Sequence, residues 1–318
     1  MANRDELERF ELPFSKVIPL MQAGFEEYAR GKLVDTIVPL QKNDREPKIH
    51  LVIQTKAHER NGPFSIHKRI DEYWEPDEET DEMKKTGRDT IILIKKDGKT
   101  VKEYAGDALT NARTGAAAAL MAHHLTPKID KLAIIGASQV GANAALAAYE
   151  LCKPKEIHFG SGSDSEARIK AWLPDVTSAI KGHVIYDANG FSKGMYDLVE
   201  NADAVIIANA MRHPLTMDLV KTMQPHVHIS AMSGDASQHN LSDEVMRSAA
   251  IITDSLERAL ETAELRHYKK GNAYRGLNIQ GTVGDAACGS LKDEKHALSV
   301  YDASGMGVSD LILARAIA

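Results

Sequence analysis

From Lys131 onward the chain repeats one pattern six times, and that pattern constrains its fold more than anything else in it. Short β-rich runs, "KLAIIG" (131–136), "EIHFG" (156–160), "HVIYD" (183–187), "DAVIIA" (203–208), "HVHISAM" (226–232) and "AIITD" (250–254), are separated by amphipathic segments. Segments such as "MYDLVENA", "TMDLVKTM", "SDEVMRSA" and "SLERALETAEL" have helical spacing, and two of these start behind a Ser or Thr able to cap first-turn amides. Strands that alternate with helices are joined by crossovers and pair in parallel. Six of them predict a doubly wound, Rossmann-type parallel sheet, and so an α/β fold.

The first 125 residues follow another rule. One helix, "FSKVIPLMQAGFEEYARG", sets Val17, Leu20, Met21 and Phe25 on one face. Strands then follow without intervening helices: "VDTIVPL", "KIHLVIQT", "FSIHKRIDEYW" and the hairpin "TIILIKKDGKTVKEYAG", turning at Asp97-Gly98. The spacing predicts an α+β domain over residues 1–125, completed by the C-terminal helix 305–318, beside a parallel-sheet domain over 126–304. A helix "LTNARTGAAAALMAHHL" (109–125) leads into the second domain, and "SVYDASGMGVSDLILARAIA" reads as strand, glycine turn, helix. A chain of 318 residues suits two domains of ordinary size.

The first parallel strand runs into "GASQVG", and this points to a ligand. A dinucleotide pyrophosphate is usually held by Gly-x-Gly-x-x-Gly, at a strand-to-helix turn whose amides face the anion. Here Gly136 and Gly141 are present, with Ala137, Ser138, Gln139 and Val140 between them, so Ser138 replaces the middle glycine. Serine is small, and its hydroxyl can donate to a phosphate oxygen. A merely tight turn is the plainer alternative, but the position at the first strand of the set favours a nucleotide. The second strand ends in Ser161 and Ser163, with Asp164 and Arg168 further on. Either NAD or NADP fits that end, and the small hydroxyls lean towards NADP.

Composition excludes several classes. A net charge of −6 supplies no field for a phosphate backbone, so nucleic-acid binding is not expected. No apolar run approaches the roughly 20 residues needed to span a bilayer, and "MANRDELERFELPF" lacks a signal-peptide core, so a cytoplasmic protein is expected. Cys152 and Cys288 form no pair or framework. His226 and His228 alternate along a strand without carboxylate or thiol neighbours at zinc spacing, which favours packing over a metal, and no metal site is expected.

The arginine-threonine helix start in "LTNARTG", the "MSGD" after the fifth strand and the closing "YDASG", in this order, resemble the ornithine cyclodeaminase/mu-crystallin family. The resemblance runs over most of the chain. It implies a dimerising α+β domain beside an NAD(P)-binding domain, and a reaction through an imine at the α-carbon of an amino acid. By the family's pattern Lys68 and Arg113 bind the substrate carboxylate, and Asp235 exchanges a proton with the substrate nitrogen. Taken without it, Arg113 is as readily a structural bridge, Lys68 an exposed strand lysine between His67 and Arg69, and Asp235 a turn or capping residue. Thr114, Asn209, Ser233 and Gly305, with Arg113 and the glycine turn, are candidates for lining the cofactor.

The sequence also departs from the family. Asp35 stands where a second carboxylate-holding arginine is expected, and an aspartate repels a carboxylate and attracts an amine. The glutamate that marks true cyclodeaminases has no match near Gln54 and Thr55, and "EPDEETDEM" replaces a loop carrying an asparagine. The expectation is an NAD(P)-dependent imine reductase or amino-acid dehydrogenase, acting on a small amino or imino acid as a homodimer. A redox-neutral cyclodeaminase and a non-catalytic nucleotide binder are the alternatives.

Overall fold

The computed structural model describes residues 10–38, 41–45, 48–76, 83–126, 128–162, 165–185, 193–209, 211, 213–232, 239–259, 261–270, 273–274, 276–291 and 296–318. The chain divides into two compact units. The first comprises residues 1–13, 27–113 and 306–318, and the second 14–26 and 114–305. The boundary therefore falls inside the helix Gly106–Leu125 rather than after residue 125, and most of the first helix, Phe14–Ala29, belongs with the parallel sheet. Its buried face is Val17, Ile18, Met21, Gly24 and Phe25, with Ile18 in the place expected for Leu20.

The first unit is a six-stranded sheet. Its strands are β1 (Leu33–Ile37), β2 (Gln41–Arg45), β3 (Lys48–Glu59), β4 (Phe64–Pro76), β5 (Met83–Lys96) and β6 (Lys99–Ala105). They run in the order β1-β3-β4-β5-β6, all antiparallel, with β2 also paired to β3. Asp97 and Gly98 both take positive φ at the β5–β6 turn, as a two-residue hairpin requires. In β4 the period of two buries Ile66, Lys68, Ile70 and Glu72 on one face. Helix α10 (Gly307–Ala314), the last helix in the chain, packs on β1, β3 and β4 and is buried along its whole length. Leu311, Ile312 and Leu313 anchor it, each worth about 1.5–3 kcal/mol when removed from water.

The second unit holds an eight-stranded sheet. Its strands are β7 (Lys131–Ile135), β8 (Glu156–Ser161), β9 (Ile180–Ile185), β10 (Ala204–Ile207), β11 (Val227–Ala231), β12 (Ala250–Thr253), β15 (Asn278–Thr282) and β16 (Leu298–Asp302). Their order is β15-β12-β16-β11-β10-β7-β8-β9, and every pair is parallel. A two-stranded ribbon, β13 (Lys269–Lys270) with β14 (Ala273–Tyr274), lies outside it. From β7 the chain builds outwards to β8 and β9, then returns to lay β10 on the other side of β7. That reversal makes β7/β10 the switch point, where ligands bind beyond the carboxyl ends of open parallel sheets.

One expected helix is broken. Residues 255–265 read as a single helix, but among the described residues only Leu256–Ala259 is α-helical, Ala263 sits at φ 61, and a 3₁₀ segment follows over Glu264–Tyr268. The cause is tertiary. The carboxylate of Asp302, at the end of β16, accepts from the amides of Glu264 (3.1 Å) and Leu265 (2.9 Å), and those two bonds hold the chain out of helical register.

Candidate active site and cofactor cradle

In the first unit Lys68 and Arg113 come together on a carboxylate that the sequence did not single out. Lys68 points inward from β4 and is 2% exposed. Its Nζ donates to Thr110 Oγ1 at 2.7 Å and to both oxygens of Asp310 at 3.2 and 3.3 Å. The Thr110 hydroxyl spends its own proton on Gly106 O at 2.7 Å, one helical turn back, so it faces Lys68 as an acceptor. Arg113 Nε donates to Asp310 Oδ1 at 3.2 Å. Among the described residues Nε is the guanidinium nitrogen that hydrogen-bonds a carboxylate. Two cations on one anion leave the cluster with one surplus positive charge. Burial above all, with Arg113 adding to it and Asp310 working the other way, brings Lys68 down from 10.5 to about 8. The exposed-lysine alternative for Lys68 is thereby set aside. Arg113 does make the internal bridge, and does so to the partner that also holds Lys68.

Asp35 is placed differently from the expectation of a residue open to a substrate amine. Its Oδ1 accepts from the amides of Gly307 (2.6 Å) and Val308 (3.2 Å), the first turn of α10. A carboxylate there satisfies amides that have no partner within the helix and complements the positive end of its dipole. Asp35 thus fixes the helix that carries Asp310.

The second unit contains the glycine turn. Gly136 takes φ +114, and its amide bonds Gly160 O at 2.7 Å, so the turn is stitched to the end of β8. A Cβ at Gly141 would collide with the Gly136 carbonyl oxygen, which explains the glycine where helix α3 (Gln139–Cys152) leaves the turn. Ser138 caps α3, accepting from Gly141 N at 3.2 Å and donating to Ala208 O at 3.0 Å. This corrects the expectation that its hydroxyl donates to a phosphate. That single proton is already used, so an anion is met by the α3 amides around Gln139 and Val140. Asn209 follows β10 with its Cβ against Gly136, at the switch point. Ser161 is buried at the tip of β8 with its hydroxyl 2.8 Å from His183 Nε2. Thr114 is buried in the helix Gly106–Leu125. The residues present therefore fit a dinucleotide: a tight glycine turn, a capped 14-residue helix and small side chains at the switch point. Ser163, Ser233 and Asp235 lie outside the described residues.

A group of buried carboxylates at the ends of β12 and β16 was not foreseen. Asp254 accepts from the Tyr301 hydroxyl and from Gly305 N at 2.6 Å, so the Gly305 amide, expected to line the cofactor, is spent on Asp254. Burial pushes Asp302 up to about 7 and Glu264 to about 8, against the amides that each accepts. His228 is buried between Ser299 and Ser230, 2.9 Å from each, and burial holds its ring near 3, a neutral packed histidine. Among the described residues no group of three or more His, Cys, Asp or Glu is disposed to hold a metal, and no helix is long and apolar enough to cross a membrane.

Residues 11–318 match the model of the ornithine cyclodeaminase/mu-crystallin family. The chain belongs to that family. It is 26% identical to an iminosuccinate reductase of Paracoccus denitrificans over 232 residues, 72% of this chain and 69% of that protein. It is 24% identical to the ketimine reductase mu-crystallin of Mus musculus over 230 residues, 71% of this chain and 67% of the relative. Among solved structures it resembles an archaeal alanine dehydrogenase dimer with bound NAD, with a TM-score of 0.77, 16% identity, and 96% and 91% of the two chains covered. It also resembles a Thermococcus litoralis Δ1-pyrroline-2-carboxylate reductase in complex with NADH and L-proline, with a TM-score of 0.76, 17% identity, and 98% and 93% covered. These structures share the fold, a parallel sheet with an α+β partner domain.

Proposed function

We propose that this member of the family is an NAD(P)-dependent oxidoreductase that reduces the C=N bond of an α-imino acid. The observation that carries the reading is the buried Lys68–Asp310–Arg113 cluster, whose single surplus positive charge matches one carboxylate. Arg113 keeps part of its planar fork for a carboxylate, and such charge-assisted bonds are the strong ones. A bound nicotinamide supplies the hydride. Lys68 and Arg113 hold the substrate carboxylate and so orient the imine carbon. Asp235 gives the nitrogen its proton, an assignment made on the family's pattern at "MSGD". The second unit cradles the dinucleotide at Gly136–Gly141, lined by Thr114, Asn209 and Ser161.

The iminosuccinate and ketimine reductases support this reading over the redox-neutral cyclodeaminase, as does the missing cyclodeaminase glutamate. The proposed protein is a cytoplasmic homodimer; the archaeal alanine dehydrogenase that it resembles is a dimer. The test is nicotinamide absorbance after mixing the protein with NADPH, then NADH, and a panel of cyclic and linear α-imino acids. Stoichiometric cofactor oxidation is expected, lost in Asp235→Asn with cofactor binding retained. Bound but unconsumed cofactor across the panel would refute the reductase, and ammonia release from diamino acids would then identify a cyclodeaminase.

A further inference from the structure

The end of β8 reads ambiguously in sequence, with serines where either an acid or a base is expected. The fold resolves what lies beside it. Arg168, two residues into helix α4 (Glu166–Trp172), reaches back to the glycine turn, and its Nη2 donates to Ala137 O at 3.1 Å and to Ser165 Oγ at 2.9 Å. Its Cζ lies 5.3 Å from the centroid of the Trp172 ring, which supports the guanidinium plane. Ser165 is buried and within 3.4 Å of the Ser161 hydroxyl, which His183 holds from β9. The nearest acid on the same helix, Glu166, is taken by Lys170 at 2.5 Å.

One arginine therefore bridges the glycine turn after β7 and the tip of β8. In dinucleotide-binding folds the adenosine ribose lies between those two segments. A carboxylate there accepts from the ribose 2′-hydroxyl of NAD, whereas an arginine accommodates the 2′-phosphate of NADP. Nη1 and Nε of Arg168 have no partner among the described residues, so a planar donor edge remains for a phosphate dianion.

We infer that Arg168 selects NADP(H) over NAD(H) by binding the 2′-phosphate, with Ser161 and Ser165 shaping the floor beneath it. This rests on the reading that the second unit holds a nicotinamide dinucleotide, and on nothing about the substrate. Charge-assisted bonds to phosphate of this kind correspond to a preference of about 30-fold.

The experiment is calorimetric binding of 2′,5′-ADP and 5′-AMP to the full chain, with NADPH and NADH titrated in parallel by nicotinamide fluorescence. The wild type is expected to prefer the 2′-phosphorylated member of each pair by at least tenfold. Arg168→Ala should weaken 2′,5′-ADP and NADPH by about 30-fold and change 5′-AMP and NADH by less than twofold, and Arg168→Lys should fall between. A wild type without the preference, or an alanine variant that loses both members of a pair equally, overturns the inference while leaving the dinucleotide reading intact. A preference for NADH retained in Arg168→Ala and lost in Asp164→Ala would give the selection to Asp164 instead. Failure of all four ligands to bind the wild type removes the dinucleotide reading itself, and this inference with it.

Discussion

Asp310→Asn is the substitution that tests the carboxylate clamp most directly. In the wild type Lys68 is completely buried, and its pKa of about 8 reflects burial and Arg113 pulling down against Asp310 holding up. At 3.2 Å and an effective dielectric near 20, the attraction between Lys68 and Asp310 is about 5 kcal/mol, equivalent to more than three pH units if nothing relaxed. Water entering around the new amide reduces that, so the expected displacement is at least one pH unit, downward. The assay is the pH dependence of kcat/KM for imine reduction, whose basic limb reports the free-enzyme group that must stay protonated. The wild-type limb is expected near 8, and the variant's near 7 or below.

Stability supplies an independent readout of the same cluster. A lysine whose folded pKa lies below its unfolded value of 10.5 binds fewer protons when folded, so stability rises with pH across that interval. From 10.5 to about 8 this costs the wild type about 3 kcal/mol below pH 8, relieved between pH 8 and 10.5. In Asp310→Asn the interval widens at its lower end, so the loss of Tm should be larger at pH 6 than at pH 9. A basic limb that stays near 8 or moves upward, with a Tm deficit independent of pH, would show that Asp310 does not govern Lys68.

Three further outcomes are expected. Gly141→Ala puts a methyl against the Gly136 carbonyl, so the glycine turn must open; NADPH affinity by fluorescence titration should fall at least about tenfold, with a loss of about 1–3 kcal/mol in stability by chemical denaturation. Asp35→Ala strips the acceptor from the Gly307 and Val308 amides and should lower stability in chemical denaturation by about 1–2 kcal/mol, leaving NADPH binding as it was. Glu264 and Asp302 have folded pKa values raised to about 8 and about 7, so their contribution is fully present below their ordinary pKa values near 4 and is lost as pH rises to about 8. Tm should therefore decline over that window, and less steeply in Glu264→Gln, which keeps an acceptor for the Asn240 amide.

The sequence exposes what local chemistry dictates. The six alternating runs became β7 to β12, because short β-rich runs separated by helical segments are joined by crossovers and pair in parallel. The glycine turn was legible in the sequence, although the part of its serine, capping α3 and donating to Ala208 O, was not, since Ala208 lies 70 residues away. The edge strands β2 ("QKNDR") and β15 ("NIQGT") carry no apolar alternation, and their pairing is set by neighbours rather than by their own residues. Lys68 and Arg113 were recognisable through the family pattern, yet Asp310 was passed over. Its signal was present: a lone carboxylate inside the apolar run "GVSDLILA" must be paired to be buried. The Asp254, Asp302 and Glu264 group left no such mark, because each residue reads as an ordinary strand end or helix acid until the loops are placed.

The position of β16 has a consequence for how the chain reaches this structure. It lies between β11 and β12, yet it comes last of the eight strands, about 65 residues after β11. Strands β11 and β12 cannot become neighbours in the sheet; they flank a gap until residues 298–302 insert. Helix α10 follows directly and docks on β3 and β4, more than 200 residues upstream. Both units thus wait on the same stretch of about 17 residues, whose two closures span about 65 and more than 200 residues and are correspondingly slow. Folding intermediates of this chain should expose the apolar edges of β11 and β12, and a peptide spanning residues 298–314, added in trans during refolding, should compete for that gap and reduce the yield of active enzyme.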